Sequence, residues 1–195
     1  TQSIETQFPQ ERDGVVIGEG WHARAGELHA EPLALQAAGE RAAGATIYVT
    51  LEPCAHHGRG GPCSEALIAA GVARVVTALT DPDPRTAGQG HAKLRAAGIE
   101  VTEGVRAPEA AALQRGFLKR VRDGLPMVTL KLAASLDGRI ATASGESQWI
   151  TAEAARRHVH LLRLQHDAVM VGGGTARSDR PALNVRGFGV VRQPV

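Results

Sequence analysis

Aromatic residues are scarce in this chain: two Trp, one Tyr and three Phe make up 3% of 195 residues. A core must therefore be built from Ala, Val, Leu and Ile, and little is left to stack on nucleic-acid bases. Cysteine is as rare, with two residues, too few for a disulfide framework. In a reducing compartment a pair of thiols favours metal binding or catalysis. Charge of either sign is lacking in excess, since 22 Lys and Arg face 20 Asp and Glu for a net +2. No basic block stands out, which argues against a nucleic-acid or membrane surface. There is no apolar run of about 18 residues and no signal peptide at the start, so a cytoplasmic location is expected. The remaining composition, 43% hydrophobic and 22% charged, is that of an ordinary globular protein.

What is present is an alternation of short apolar strands and helices. Residues 1–13 are polar and aperiodic and read as irregular. Gly14 to Trp21 reads as a strand, His29 to Ala43 as a helix ended by Gly44, and Thr46 to Leu51 as a buried strand. Pro32 is tolerable only in the first helical turn. Pro62–Ala70, Gly90–Ala97 and Pro108–Arg122 read as helices, and Val72–Leu79 and Ile99–Thr102 as strands, with a turn-rich Asp81-Pro82-Asp83-Pro84 loop. Strand and helix in turn predict an α/β fold with a parallel sheet. The pattern restarts near Asp123-Gly124, so a first domain over 1–123 and a second over 124–195 are expected. In the second, Met127–Ala133, Arg139–Ala143 and Ala168–Val171 read as strands. Thr151 reads as the N-cap of a helix reaching about Gln165. There is no internal repeat.

The chemistry concentrates in His29-Ala30-Glu31, Pro53-Cys54 and Pro62-Cys63. One imidazole and two thiolates suit zinc, which in catalytic sites takes three protein ligands and keeps one position open. Glu31, two residues from the imidazole, is then available to carry protons. Zinc deaminases of cytosine and adenine read H-x-E…P-C-x-x-C with the Glu as general acid/base. Here eight residues, Ala55 to Pro62, separate the cysteines where that pattern has two. A structural zinc site closed by His56 or His57 is the plainer alternative. The insert is basic and glycine-rich, and Arg59 suits a phosphate held bidentately. A merely solvated loop is its bland reading.

Longer stretches carry a resemblance. HARAGELHAEPLAL, GATIYVTLEPCAHHGRGGPC, EALIAAGVARVV and LTDPDPRTAGQG resemble the deaminase domain of the bifunctional riboflavin-biosynthesis deaminase/reductases. LKLAASLDGRIATASGESQWIT and VGGGTARSDRPALNVR resemble their reductase domain, and the likeness covers roughly residues 14–195. It implies a cytidine-deaminase-like three-layer domain followed by part of a dihydrofolate-reductase-like α/β domain. It implies deamination of 2,5-diamino-6-ribosylamino-4(3H)-pyrimidinone 5′-phosphate, a small phosphorylated pyrimidine, followed by NADPH-dependent reduction of the ribosyl chain.

By the matching motifs, His29, Cys54 and Cys63 would bind Zn2+ and Glu31 would shuttle protons. His56 and Arg59 would approach the substrate phosphate, with His22 near the site. Ala133, Trp149, Thr175 and Asp179 match NADP-contacting positions. Lys131, Ser147, Arg163, Leu183 and Arg186 match substrate-contacting positions in the reductase. Ordinary core is the plain reading of Trp149 and Leu183, and a solvated helix face that of Arg163. Gly172–Gly174 would not be a G-x-G-x-x-G fingerprint. The family also implies homo-oligomers.

Two departures set further expectations. The family opens with a helix and a strand carrying S-P-N-P-x-V-G, which residues 1–13 lack, so an open sheet edge and a missing pocket wall are expected. The later glycine-rich stretch of the reductase is also missing, so the chain is expected to hold only that domain's N-terminal part. Two other functions compete. A nucleoside or tRNA deaminase is disfavoured by the long insert and near-neutral charge. A non-catalytic, zinc-stabilised remnant is the reading from another class.

Overall fold

The computed structural model describes residues 10–12, 14–23, 26–57 and 60–195. The chain divides into two compact units, 1–127 and 128–195.

The first unit is built on a five-stranded sheet in the order β2-β1-β3-β4-β5. The strands are β1 (Gln10–Arg12), β2 (Val15–Gly18), β3 (Thr46–Val49), β4 (Arg74–Thr77) and β5 (Glu100–Thr102). β3, β4 and β5 run parallel, whereas β1 is antiparallel to both of its neighbours. Residues 10–12, read from the sequence as irregular, form a strand between β2 and β3, so the sheet is not left open at β3. Alternating apolar residues explain β3: Ile47 and Val49 are buried on one face.

Helices connect the parallel strands: α2 (Cys63–Ala69) lies between β3 and β4, and α3 (Gln89–Ala96) between β4 and β5. Short turns at 43–45, 70–72 and 97–99 return the chain to the start of the next strand. α1 (Ala30–Ala38) packs on α2, and α2 on α3. Ile47, Leu67, Val75 and Leu94 are fully buried at the centre of this layer. Each such side chain contributes about 1.5–3 kcal/mol.

α1 buries Ala30, Ala34 and Ala38, a four-residue spacing that puts a stripe of small side chains against the sheet. The strand answers with glycines. A Cβ on Gly20 would lie 2.3 Å from the Ala30 carbonyl oxygen, and one on Gly18 2.5 Å from that of Ala34. The helix stops at Ala38 and continues as a 3-10 turn over Gly39–Ala42, because Gly39 turns to φ 57°. The single helix expected over 108–122 is two, α4 (Ala107–Leu113) and α5 (Arg115–Asp123). Gln114 breaks the run: it is buried, its backbone bends to φ −97°, ψ 12°, and its Nε2 donates to the Thr50 carbonyl at 3.1 Å.

In the second unit α6 (Glu153–Leu164) and α7 (Gly173–Asp179) are the regular elements. The α6 cap is Ala152, one residue beyond Thr151. The three strands expected here are not formed. Strands need partners, and the segments have almost none: Val169 N–H donates to the Val195 carbonyl and Val195 N–H to that of Asp167, too few bonds for a ladder. Val128, Leu130 and Leu132 stay exposed.

Candidate metal centre

Two loop-to-helix junctions and the loop after β3 bring the ligand atoms together. His29 is the N-cap of α1, Cys54 follows β3 by a short loop, and Cys63 is the first residue of α2. His29 Nδ1 lies 3.3 Å from Cys63 Sγ and 3.7 Å from Cys54 Sγ. All three donor atoms fall within 4.8 Å of one another, and among the described residues this is the one such cluster. Zn–S bonds of about 2.3 Å and Zn–N bonds of about 2.0–2.1 Å give tetrahedral edges of about 3.5–3.8 Å. The donor set and its spacing fit zinc.

Without metal the thiols share a proton. Hydrogen bonding from Cys63, and then from the His29 ring and the Cys63 backbone N–H, lowers the Cys54 thiol to about 4 against the cost of burial. The Cys63 thiol is pushed up, first because it donates to Cys54 and then by burial. His29 is raised by its bond to Cys54. Metal binding displaces such protons. Glu31 is buried in the first turn of α1. Burial raises its pKa, opposed chiefly by backbone hydrogen bonding and by the nearby His29. A carboxyl raised by burial holds its proton more firmly than a solvated acid, as a proton carrier requires.

The ends of the insert are tied down. Cys63 N–H donates to Cys54 Sγ at 3.2 Å, and Ser64 Oγ to the Cys54 carbonyl at 3.0 Å. Lys93 from α3 donates to the Ala55 carbonyl at 3.0 Å. His56 Nδ1 lies 3.1 Å from Thr86 Oγ1, and His57 is exposed. Neither belongs to the cluster, so neither closes a four-ligand structural site. Arg59 lies outside the described residues. His22 donates from Nδ1 to the Leu28 carbonyl at 3.0 Å and sets its ring edge-on to His29, 5.2 Å between centroids.

Sequence reasoning missed Glu52. Its side chain is buried, and it accepts four backbone N–H bonds from the loop after β4. The available signal was an acidic residue wedged between an apolar strand and Pro53-Cys54.

In the second unit Arg163 donates to the carbonyls of Ala182 at 3.2 Å and Asn184 at 2.9 Å. His160 Nδ1 accepts from the Arg186 N–H at 3.2 Å. Arg163, Leu183 and Arg186 are thus gathered on one side of α6, and Arg163 is half-buried instead of fully solvated. Burial, and then Arg186, lowers the Arg163 pKa. Trp149 is 69% exposed, not core, with the Arg156 guanidinium 4.4 Å above its ring. Leu183 and Ala133 are half-buried. Lys131 and Ser147 lie exposed in separate segments. Thr175 and Asp179 lie on α7. No helix among the described residues is long and apolar enough to cross a membrane.

A mixed sheet presenting a His/Cys/Cys cluster with a buried Glu is the arrangement expected of a deaminase-type zinc-binding region. Residues 10–79 match the family model of the cytidine and deoxycytidylate deaminase zinc-binding region, and residues 126–195 match the RibD C-terminal domain. The riboflavin biosynthesis protein RibD of Escherichia coli (strain K12) is 59% identical over 175 residues, covering 90% of this chain and 48% of the relative. That of Aquifex aeolicus (strain VF5) is 48% identical over 184 residues, covering 94% and 52%.

Among solved structures, Acinetobacter baumannii RibD (form 1) superposes with a TM-score of 0.89 at 50% identity, covering 97% of this chain and 55% of that one. A diaminohydroxyphosphoribosylaminopyrimidine deaminase/5-amino-6-(5-phosphoribosylamino)uracil reductase from Thermotoga maritima gives 0.91 at 41% identity, covering 97% and 54%. The chain is similar to RibD proteins along nearly its whole length and spans about half the length of the curated relatives it matches. Its architecture is a cytidine-deaminase-like domain followed by RibD C-terminal, dihydrofolate-reductase-like sequence.

Proposed function

We propose that the first unit catalyses zinc-dependent hydrolytic deamination of 2,5-diamino-6-ribosylamino-4(3H)-pyrimidinone 5′-phosphate in riboflavin biosynthesis. The observation that carries this is the convergence of His29, Cys54 and Cys63 with Glu31 buried beside them. These three residues would hold the zinc, which would supply Lewis acidity and make water acidic enough to attack at neutral pH. Glu31 would take the first proton of the attacking water and deliver it to the ring nitrogen, then take the second proton from the new hydroxyl and deliver it to the departing amine. Water adds its oxygen to the ring carbon, the C–N bond breaks, and ammonia leaves. His56 and Arg59 would face the phosphate and His22 would border the ring.

We read residues 1–123 as the deaminase and 124–195 as the N-terminal part of the reductase. Reduction of the ribosyl chain with NADPH is assigned to the complete bifunctional protein. Thr175 and Asp179 on α7, with Ala133 and Trp149, would contact the dinucleotide. Lys131, Ser147, Arg163, Leu183 and Arg186 would hold the ribosyl phosphate.

The test loads the chain with one equivalent of zinc and measures ammonia released from the pyrimidinone phosphate. Stoichiometric release with turnover is expected. A zinc-loaded, folded chain that releases none overturns the deaminase reading.

A further inference from the structure

Glu52 is an acidic side chain with no solvent to face: its side chain is 0% exposed, and the buried His91 lies beside it with Nδ1 3.8 Å from Oε1. It meets backbone instead. Oε2 accepts from Gly88 N–H at 2.9 Å and Asp81 N–H at 3.2 Å. Oε1 accepts from Gly90 N–H at 2.9 Å and His91 N–H at 3.2 Å. Two acceptor oxygens are thereby matched to four donors, an arrangement open only to a carboxylate.

All four donors belong to the stretch from the end of β4 into α3. That stretch is pressed against the ligand loop: a Cβ on Gly90 would lie 2.0 Å from the Pro53 carbonyl oxygen and 3.2 Å from Glu52 itself. The Glu52 N–H also donates to the Leu79 carbonyl at 2.8 Å. Between the Asp81 and Gly88 anchor points the chain turns so that Thr86, fully buried, puts its Oγ1 3.1 Å from His56 Nδ1. His56 sits two residues after Cys54 in the insert between the cysteines. With Nδ1 held by Thr86, Nε2 is the ring atom left to meet a ligand.

We infer that Glu52 is a positioning residue: it clamps the 81–91 loop to the zinc-ligand loop and, through Thr86, fixes the His56 ring that meets the substrate's phosphate. The inference rests on the deaminase reading for the identity of the substrate. The clamp itself rests on the four hydrogen bonds and the Gly90 approach. Glu52→Gln keeps the size of the side chain but turns an NH2 group toward two backbone N–H donors, which pushes the loop away.

Two measurements separate the clamp from the activity. The first is calorimetric binding of ribose 5-phosphate to the zinc-loaded chain, which needs no turnover. Glu52→Gln is expected to bind it at least tenfold more weakly than the unsubstituted chain, with one zinc retained in each. Equal affinities, or no binding by the unsubstituted chain, overturn the inference. The second is the steady-state split: Glu52→Gln raises KM for the 5′-phosphate about tenfold and leaves the kcat/KM of the phosphate-free nucleoside within threefold. A kcat loss shared by both substrates marks general damage and also overturns it. An unsubstituted chain that binds ribose 5-phosphate but releases no ammonia removes the deaminase reading and leaves the clamp standing. Thr86→Val repeats the test from the other end should Glu52→Gln not fold. It removes one hydroxyl, and the same phosphate-selective loss is expected; unchanged ribose 5-phosphate binding refutes the link to His56.

Discussion

Glu31 and Asp83 are both carboxylates, and their surroundings give them opposite tendencies. Glu31 is buried and raised, as a proton carrier requires. Glu31→Gln is expected to leave zinc content unchanged while turnover falls by about 10²–10⁴-fold, measured as ammonia release with metal analysis of the same sample. Asp83 is lowered to about 2, first by side-chain hydrogen bonds from Arg85; Arg85 Nε lies 3.0 Å from Oδ1. Its folded pKa lies below the usual value of about 3.9. The pair therefore contributes stability that is complete above about pH 4 and is lost as pH falls through 2. The Arg85 side chain is 68% exposed, so solvent screening keeps the contribution small. Arg85→Ala is expected to lower urea stability slightly at pH 7 and by a vanishing amount near pH 2, read from paired denaturation curves. At this scale the His29/Cys54/Cys63 cluster was legible because H-x-E and two Pro-Cys pairs are rare combinations. Glu52 was not, because nothing in its identity separates a buried acceptor of four N–H groups from a solvated acid.

Among the elements, α1 does the most to place the site, since it carries His29 at its cap and Glu31 in its first turn. Its seat is the close approach to Gly18 and Gly20. Gly20→Ala is expected to lift the start of α1, because its methyl would sit 2.3 Å from the Ala30 carbonyl oxygen. The expected result is at least tenfold weaker zinc retention, measured by competition with a chromogenic chelator. The alternation of strand and helix from 14 to 107 was readable because each apolar stretch ends in a turn signal. The break at Gln114 was not, because it depends on a carbonyl of Thr50 far away in sequence. The strands expected over 127–133, 139–143 and 168–171 failed for a related reason. Apolar runs name a candidate strand, but a ladder needs a neighbour, and Val128, Leu130 and Leu132 have none covering them.

For the molecule as a whole, the two units differ in how much they bury. The first unit has a continuous apolar layer, whereas Val185 is the single buried residue of 128–195. Limited proteolysis is expected to cut first beyond residue 127 and leave a resistant fragment close to 1–127, identified by intact mass. Added zinc should slow further cleavage of that fragment, and a chelator should speed it, since a ligand that binds only the folded form stabilises it. The three parallel strands also give the first unit two unlike rims. The ligand loop after β3 and the clamped loop after β4 leave from one rim, where His29, Cys54, His56 and Cys63 are gathered. The turns at 43–45, 70–72 and 97–99 lie at the other, and none of them supplies a side chain to the chemistry. That far rim is a handle: a tag, a fluorophore or a tethering sequence spliced into those turns should be tolerated by a unit whose ligand loops leave from the opposite rim.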